Sequence, residues 1–309
     1  MEFAAYIWAM LDAVLRALAT GWFRTLTKKL TVGDLQSTGL LTVGYGGAMV
    51  FVGAITGAFT GELRSLTTTS SAFEIGLLVF IGVAIGMGNI AMVMVYRCQG
   101  PLSASGVIIK TMSALFVIFG ASVYFGDQVS ILQYLGAGMS LSASWIIFRR
   151  EPGHTETLKG DMLRRWLFWS LFAALMQALY ELFSRHVCDI GAKSVTRLMV
   201  WPGTVMMLQG ISVLVLARRK YGAPSIRLPG SVWLGFVVVM FAGGWFNYFG
   251  FRAYELRLSP IVKVGLGTGI IFLVLSLVGA SRHEEKFNRV KVIAIVVAAI
   301  SVVLLLSGE

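Results

Sequence analysis

Ten apolar runs, each close to the length of a membrane-spanning helix, divide this chain of 309 residues. They lie near 3–23, 38–60, 75–97, 102–124, 129–148, 166–185, 197–217, 230–251, 259–281 and 289–307. A helix needs roughly 20 apolar residues to cross the hydrocarbon of a bilayer. Hydrocarbon offers the backbone no water, so such a run must satisfy its own N–H and C=O groups as a helix. Composition points the same way. Hydrophobic residues make up 57% of the chain and charged residues only 13%, against about 25% charged in soluble domains. The expected fold class is therefore all-α: a polytopic membrane protein with ten transmembrane helices.

The runs fall into two sets of five. The longest polar connector is 151–165 with its flanking arginines, containing Pro152, Gly153 and Gly160. It separates an expected first five-helix repeat, 1–150, from a second, 166–309. Scaffold residues recur between the sets at a nearly constant offset. Trp8, Ala13, Ala17, Leu18 and Arg24 match Trp169, Ala174, Ala178, Leu179 and Arg185. Ala84, Gly86, Asn89 and Tyr96 match Ala242, Gly244, Asn247 and Tyr254, and Pro101 and Gly106 match Pro260 and Gly265. Gly120-Ala121-Ser122 then matches Gly279-Ala280-Ser281. An odd number of crossings per repeat turns the second upside down relative to the first. Inverted repeats are a common architecture of secondary transporters, with the site near the midplane between them.

The net charge is +11. Most of the cations sit in the odd-numbered connectors, among them Lys28, Lys29, Arg149, Arg150, Arg164, Arg165, Arg218, Arg219, Lys220, Arg282 and Lys286. The even-numbered connectors carry fewer: Arg64, Arg185, Lys193, Arg197, Arg252 and Arg257. This pattern reads as membrane topology rather than a nucleic-acid surface, because Lys and Arg concentrate in cytoplasmic loops. With ten crossings it places both termini outside, in a bacterial-type cytoplasmic membrane. No cleavable signal peptide is expected, since the start lacks a basic n-region and a small-residue cleavage site.

Several chemistries are disfavoured. His154, His186 and His283 all fall in polar connectors, and two cysteines, Cys98 and Cys188, make neither a disulfide framework nor a zinc site. No metal, cofactor or catalytic group is expected at membrane depth, so the chain does not read as an enzyme.

Charged side chains inside a membrane are costly and mark cavities or ion paths. Asp12, Arg16, Lys110 and Lys263 lie inside apolar runs, and Glu181 lies near the end of the sixth. Asp12 and Arg16 are spaced i,i+4 on one helix face, either as a self-neutralising structural pair, or with Asp12 holding Arg16 toward a substrate anion or titrating as a proton-coupling group. The repeat equivalents are Ala173 and Gln177, with Glu181 one turn beyond. Lys110 is too deep to reach an interface easily, and Gly269 stands in its place in the second half. Lys263, three residues past Pro260, fits either a cavity or an interfacial lysine that snorkels outward. Asn89 and Asn247 are symmetry mates able to hydrogen-bond a substrate or to join helices. Tyr96 and Tyr254, near run ends, read as interface anchors or gates. Substrate-binding candidates are thus Arg16, Lys110, Lys263, Gln177, Asn89 and Asn247. Coupling or gating candidates are Asp12, Glu181, Tyr96 and Tyr254. A surplus of positive charge favours an anion.

Taken together, these features resemble the drug/metabolite transporter superfamily, with its ten helices in two EamA-like halves. The best-matching stretch runs from Pro101 to Ser140. There a proline opens a small-residue-rich helix, and Phe125-Gly126-Asp127 leads into a helix with Gly136 and Gly138. Asp127 fills the acid position of that turn, and Glu285 fills it in the second half. The resemblance implies alternating-access movement of small organic solutes without ATP hydrolysis. It also implies termini in the cytoplasm, opposite to the charge count. Val107-Ile108-Ile109-Lys110 is similar to the fourth helix of plastid triose-phosphate translocators, where the resemblance implies a lysine that neutralises substrate phosphate. The expected function is secondary transport of a small organic anion, phosphorylated or carboxylated. The alternative is a flippase for a lipid-linked phosphate, using the same positive cavity opened sideways to the lipid bilayer.

Overall fold

The computed structural model describes residues 2–29, 35–68, 71–98, 102–126, 130–150, 160–190, 194–221, 230–270 and 289–307. Among these residues there are ten α-helices, one short 3-10 turn and no strand. In order, the helices are α1 (Glu2–Lys29), α2 (Leu35–Thr60), α3 (Ala72–Arg97), α4 (Leu102–Tyr124) and α5 (Ile131–Arg150). The second five are α6 (Asp161–Asp189), α7 (Val195–Tyr221), α8 (Gly230–Glu255), α9 (Pro260–Ile270) and α10 (Arg289–Leu306). The 3-10 turn, Glu62–Leu66, follows α2.

Among the described residues, five helices are long and apolar enough to cross a membrane: Leu35–Thr60, Ala72–Val95, Asp161–Asp189, Val195–Lys220 and Trp233–Glu255. At 1.5 Å per residue, the 26 residues of α2 span about 39 Å, more than the ~30 Å of bilayer hydrocarbon. Large apolar side chains such as Phe51, Phe119, Leu208, Leu216, Leu234 and Val303 point outward. A soluble protein would hide a surface of this kind. These features fit a helical membrane protein.

Helix ends extend past the apolar runs where polar residues continue the turn. Helix α6 begins more than a turn before its run, taking in the exposed Arg164 and Arg165. Helix α7 runs on through the exposed Arg218, Arg219 and Lys220.

Packing centres on α2 against α7, with α8 and α3 flanking that pair. Helix α1 lies on α8, α6 on α3 and α4, and α5 on α10. Small residues let α2 and α7 touch backbone to backbone. A Cβ on Gly46 would lie 2.6 Å from the carbonyl oxygen of Gly203, and one on Gly210 would lie 2.6 Å from the backbone nitrogen of Val43. Beside this seam Met49, Leu78, Ile81, Leu198, Met199, Met206 and Phe251 form the largest buried cluster.

The connectors after α2, α6 and α8 meet at one end of the bundle, where several of the charges are paired. Glu62 accepts hydrogen bonds from Ser194 and Thr196 and lies 3.7 Å from Arg252, which also pairs with Glu255. Arg197 is bound to Glu74 at 2.8 Å and to the backbone of Ser65 and Thr68. Tyr124 at the end of α4 reaches His186 at 3.3 Å.

Helix α9 starts deep. Backbone N–H groups of Arg257 and Leu258 bond back to Tyr254 and Ala253 in a tight turn, with Arg257 in the left-handed region at φ 63. Leu258, Ile261 and Val262 are already buried. The first turn of α9 therefore packs against Ala5 and Ala9 of α1.

Candidate functional site

Charge brings α1, α6, α8 and α9 together. On α1, the i,i+4 spacing lets Arg16 Nη2 and Nε donate to Asp12 Oδ1 at 2.9 and 3.1 Å. Helix α6 brings Glu181, whose Oε1 lies 3.9 Å from Arg16 Nη2. Lys263 on α9 donates through Nζ to Glu181 Oε2 at 2.5 Å and lies 3.5 Å from Asp12 Oδ2. Tyr254 at the end of α8 donates its hydroxyl to the same Glu181 oxygen at 2.6 Å. Two cations and two carboxylates thus form one closed, neutral quartet. Asp12, Glu181 and Lys263 are only 4%, 3% and 3% exposed, so each charge depends on its partners rather than on solvent.

Aromatic rings and a glycine shape the quartet. The Arg16 guanidinium stands 4.5 Å from the centre of the Phe246 ring, and Lys263 Nζ stands 4.2 Å from that of Tyr254, both within cation–π range. Gly250 is the point where α8 passes the charges. A Cβ there would lie 2.9 Å from Asp12 Oδ2 and 3.0 Å from Lys263 Nζ. Behind this layer, Tyr180 donates to Asn247 Oδ1 at 2.8 Å, and Asn247 Nδ2 donates to Tyr45 Oη at 2.7 Å and to the Gly243 carbonyl at 2.8 Å. That chain ties α2, α6 and α8 together next to Glu181.

The quartet forms one wall of a cavity of about 20 Å³, room for one or two water molecules. Lys110 and Ser113 of α4, Gln177 of α6 and Thr268 of α9 line the rest. Thr268 donates to the Val264 carbonyl at 2.8 Å. Lys110 makes no hydrogen bond or ion pair with any described residue. The Ser113 hydroxyl, 1% exposed, likewise has no hydrogen-bond partner among the described residues. The described cavity lining therefore carries three basic side chains against two carboxylates, and Lys110 is the one in contact with neither.

Of the residues singled out from the sequence, Asp12, Arg16, Lys110, Gln177, Glu181 and Lys263 converge on this cavity. Lys263 is not an interfacial, snorkelling lysine, because the tight turn before α9 delivers it inside the bundle. Tyr254 is not an interface anchor. It is 0% exposed and bonds Glu181. Asn247 stands behind the site, and Asn89 donates to Thr42 at 3.2 Å as an α3–α2 link; neither lines the cavity. Tyr96 lies in the last turns of α3, with its side chain outside what is described. Asp127 and Glu285 fall outside the described residues. Ser113, Thr268, Tyr45 and Tyr180 were not evident from the sequence. Ser113 alone had a usable signal, since it lies at i+3 from Lys110 and shares its helix face.

No protein-family model matches the chain, and no curated protein matches it. A solved structure described only as the crystal structure of a protein is similar to it, with a TM-score of 0.72 at 16% sequence identity. The match covers 100% of this chain and 99% of the other. A likeness at that identity is one of fold alone.

Proposed function

We propose that this protein is a secondary carrier for a small organic anion, working by alternating access in a cytoplasmic-type membrane. The observation that carries this reading is Lys110: a cation deep in an apolar bundle, at a cavity, without a counter-ion among the described residues. A buried charge without a partner is costly, and a carrier recovers that cost when an anion binds.

The same reading takes the chain as ten crossings in two inverted repeats with the architecture of the drug/metabolite transporter superfamily. Supporting this, the helix pairing is largely preserved when each helix is exchanged for the one five places later. The α2–α7 and α5–α10 pairs map onto themselves, α1–α8 maps onto α6–α3, and α2–α8 maps onto α7–α3. Contacts of α4 with α6 have their counterpart in those of α9 with α1. Chemistry breaks the symmetry where scaffold keeps it: Asp12 faces Ala173, Arg16 Gln177 and Lys110 Gly269 across the repeat.

Charge sets the orientation. Arg185, Arg197 and Arg252 at the even-connector end are each paired with acids. Arg164, Arg165, Arg218, Arg219 and Lys220 at the opposite end are exposed. The exposed cations belong in the cytoplasm. A Thr67→Cys variant, with Cys98 and Cys188 changed to Ser, is therefore expected to react with a membrane-impermeant maleimide added outside intact cells. Reaction only after permeabilisation reverses the orientation.

A thermal-unfolding screen of the purified protein over carboxylated, phosphorylated and cationic metabolites tests the substrate class. Stabilisation by anions, absent in Lys110→Ala, is the expected result. Stabilisation by cations alone refutes the anion reading.

A further inference from the structure

We infer that the anionic end of the substrate carries one negative charge, as a carboxylate does, and is held by Lys110 and Ser113 rather than by the Asp12–Arg16–Glu181–Lys263 quartet. The inference rests on the carrier reading above and narrows it.

Charge balance comes first. Within the quartet each cation already faces a carboxylate: Arg16 is bonded to Asp12 at 2.9 Å, and Lys263 to Glu181 at 2.5 Å with Asp12 at 3.5 Å. An incoming anion that recruited Arg16 or Lys263 would have to evict an internal carboxylate and leave it buried without its partner, a costly exchange. Lys110 is under no such constraint, so the described lining offers one positive charge in excess. A monoanion neutralises it. A dianionic phosphate monoester leaves one uncompensated negative charge in a low-dielectric site beside Asp12 and Glu181.

Hydrogen bonding gives the second, independent observation. Buried Ser170 of α6 has no partner among the described residues and does not line the cavity, but several other hydroxyls in these helices donate to the carbonyl one turn back: Thr42 to Thr38, Ser122 to Ile118, Ser184 to Tyr180 and Thr268 to Val264. Ser113 does not, although it is 1% exposed and lines the cavity. A buried hydroxyl left without a partner costs stability. Ser113 sits one turn along α4 from Lys110, on the same face. A carboxylate presents two oxygens: one for the Lys110 ammonium, the other for the Ser113 hydroxyl. Gln177, across the cavity on α6, is placed to donate its amide to either. The cavity's one-or-two-water size suits a flat, compact head group that displaces the water there.

Acetate and methyl phosphate isolate the head group from the rest of any substrate. At pH 7 a phosphate monoester, with a second pKa of about 6, is mostly a dianion, whereas acetate is a monoanion. The full chain in detergent micelles is titrated into carbon-13-labelled acetate and, separately, into methyl phosphate followed by phosphorus NMR. The expected result is broadening of the acetate line that disappears with Lys110→Met and weakens about tenfold in affinity with Ser113→Ala, with the methyl phosphate line unaffected. Methyl phosphate broadening that Lys110→Met abolishes overturns the single-charge inference while leaving the anion-carrier reading in place. Acetate broadening unchanged by both substitutions places the binding elsewhere and overturns the assignment to Lys110 and Ser113. No broadening of either probe removes the inference and the anion reading together.

Discussion

Lys263→Met is expected to destabilise the folded protein by about 3–5 kcal/mol, and adding Glu181→Gln to it is expected to recover most of that loss. Lys263 is 3% exposed and holds Glu181 at 2.5 Å while lying 3.5 Å from Asp12. Removing it leaves two carboxylates facing Arg16 alone, in a place where no more than one or two waters can reach the second. Changing Glu181 to Gln removes that orphaned charge and keeps an oxygen that Tyr254 can still reach, because a glutamine carbonyl also accepts hydrogen bonds. Replacing a whole buried ion pair is often neutral, whereas breaking one is not. The test is a double-variant cycle in detergent, read by thermal unfolding. Additive losses from the two substitutions contradict the closed quartet and mean that solvent, not Lys263, compensates Glu181.

Lys110→Ala is expected to behave in the opposite way. Its ammonium has no partner among the described residues, so removal relieves a half-buried, unpaired charge and leaves the unfolding temperature equal to or above that of the parent chain. Transport is expected to collapse. Truncating one member of a buried charge pair costs at least about 2 kcal/mol of binding, roughly thirtyfold in affinity. Stability retained with transport lost separates a binding lysine from a structural one. Loss of both identifies Lys110 as part of the scaffold.

These contrasting expectations show what the sequence could and could not say about the site. Asp12 and Arg16 were legible as a pair, because four residues on a helix is a fixed geometry. The ten helices were legible because apolar run length maps directly onto helix length. Lys263 was ambiguous for a physical reason: counting residues from Pro260 measures distance along a helix, not depth in a bundle. The Arg257–Leu258 turn buries the start of α9, so Lys263, the fourth residue of that helix, is already at the core. The same turn hides Tyr254, which the sequence places at a helix end and the fold places on Glu181. The charge surplus also shrank once Glu181 joined the cavity wall, leaving Lys110 alone in excess. Ser113 carried only a positional signal, three residues along α4 from Lys110, and its unpaired hydroxyl could not be read from the sequence. A serine in a helix ordinarily satisfies itself on the carbonyl one turn back, and only the three-dimensional arrangement reveals one that does not. Asn89 and Asn247 were ambiguous in another way. Their matched positions left substrate binding and helix joining open, and the structure uses both to join helices: one links α3 to α2 and the other backs the quartet through Tyr180 and Tyr45.

The most direct test of the carrier reading is uptake of labelled small carboxylates and phosphate esters into sealed proteoliposomes, without ATP, by the parent chain and by Lys110→Ala. The expected result is saturable accumulation of at least one anion by the parent chain, reduced by Lys110→Ala to the level of protein-free liposomes. Equal uptake by the two chains, or uptake of cations alone, would contradict the reading of Lys110 as the anion's counter-charge.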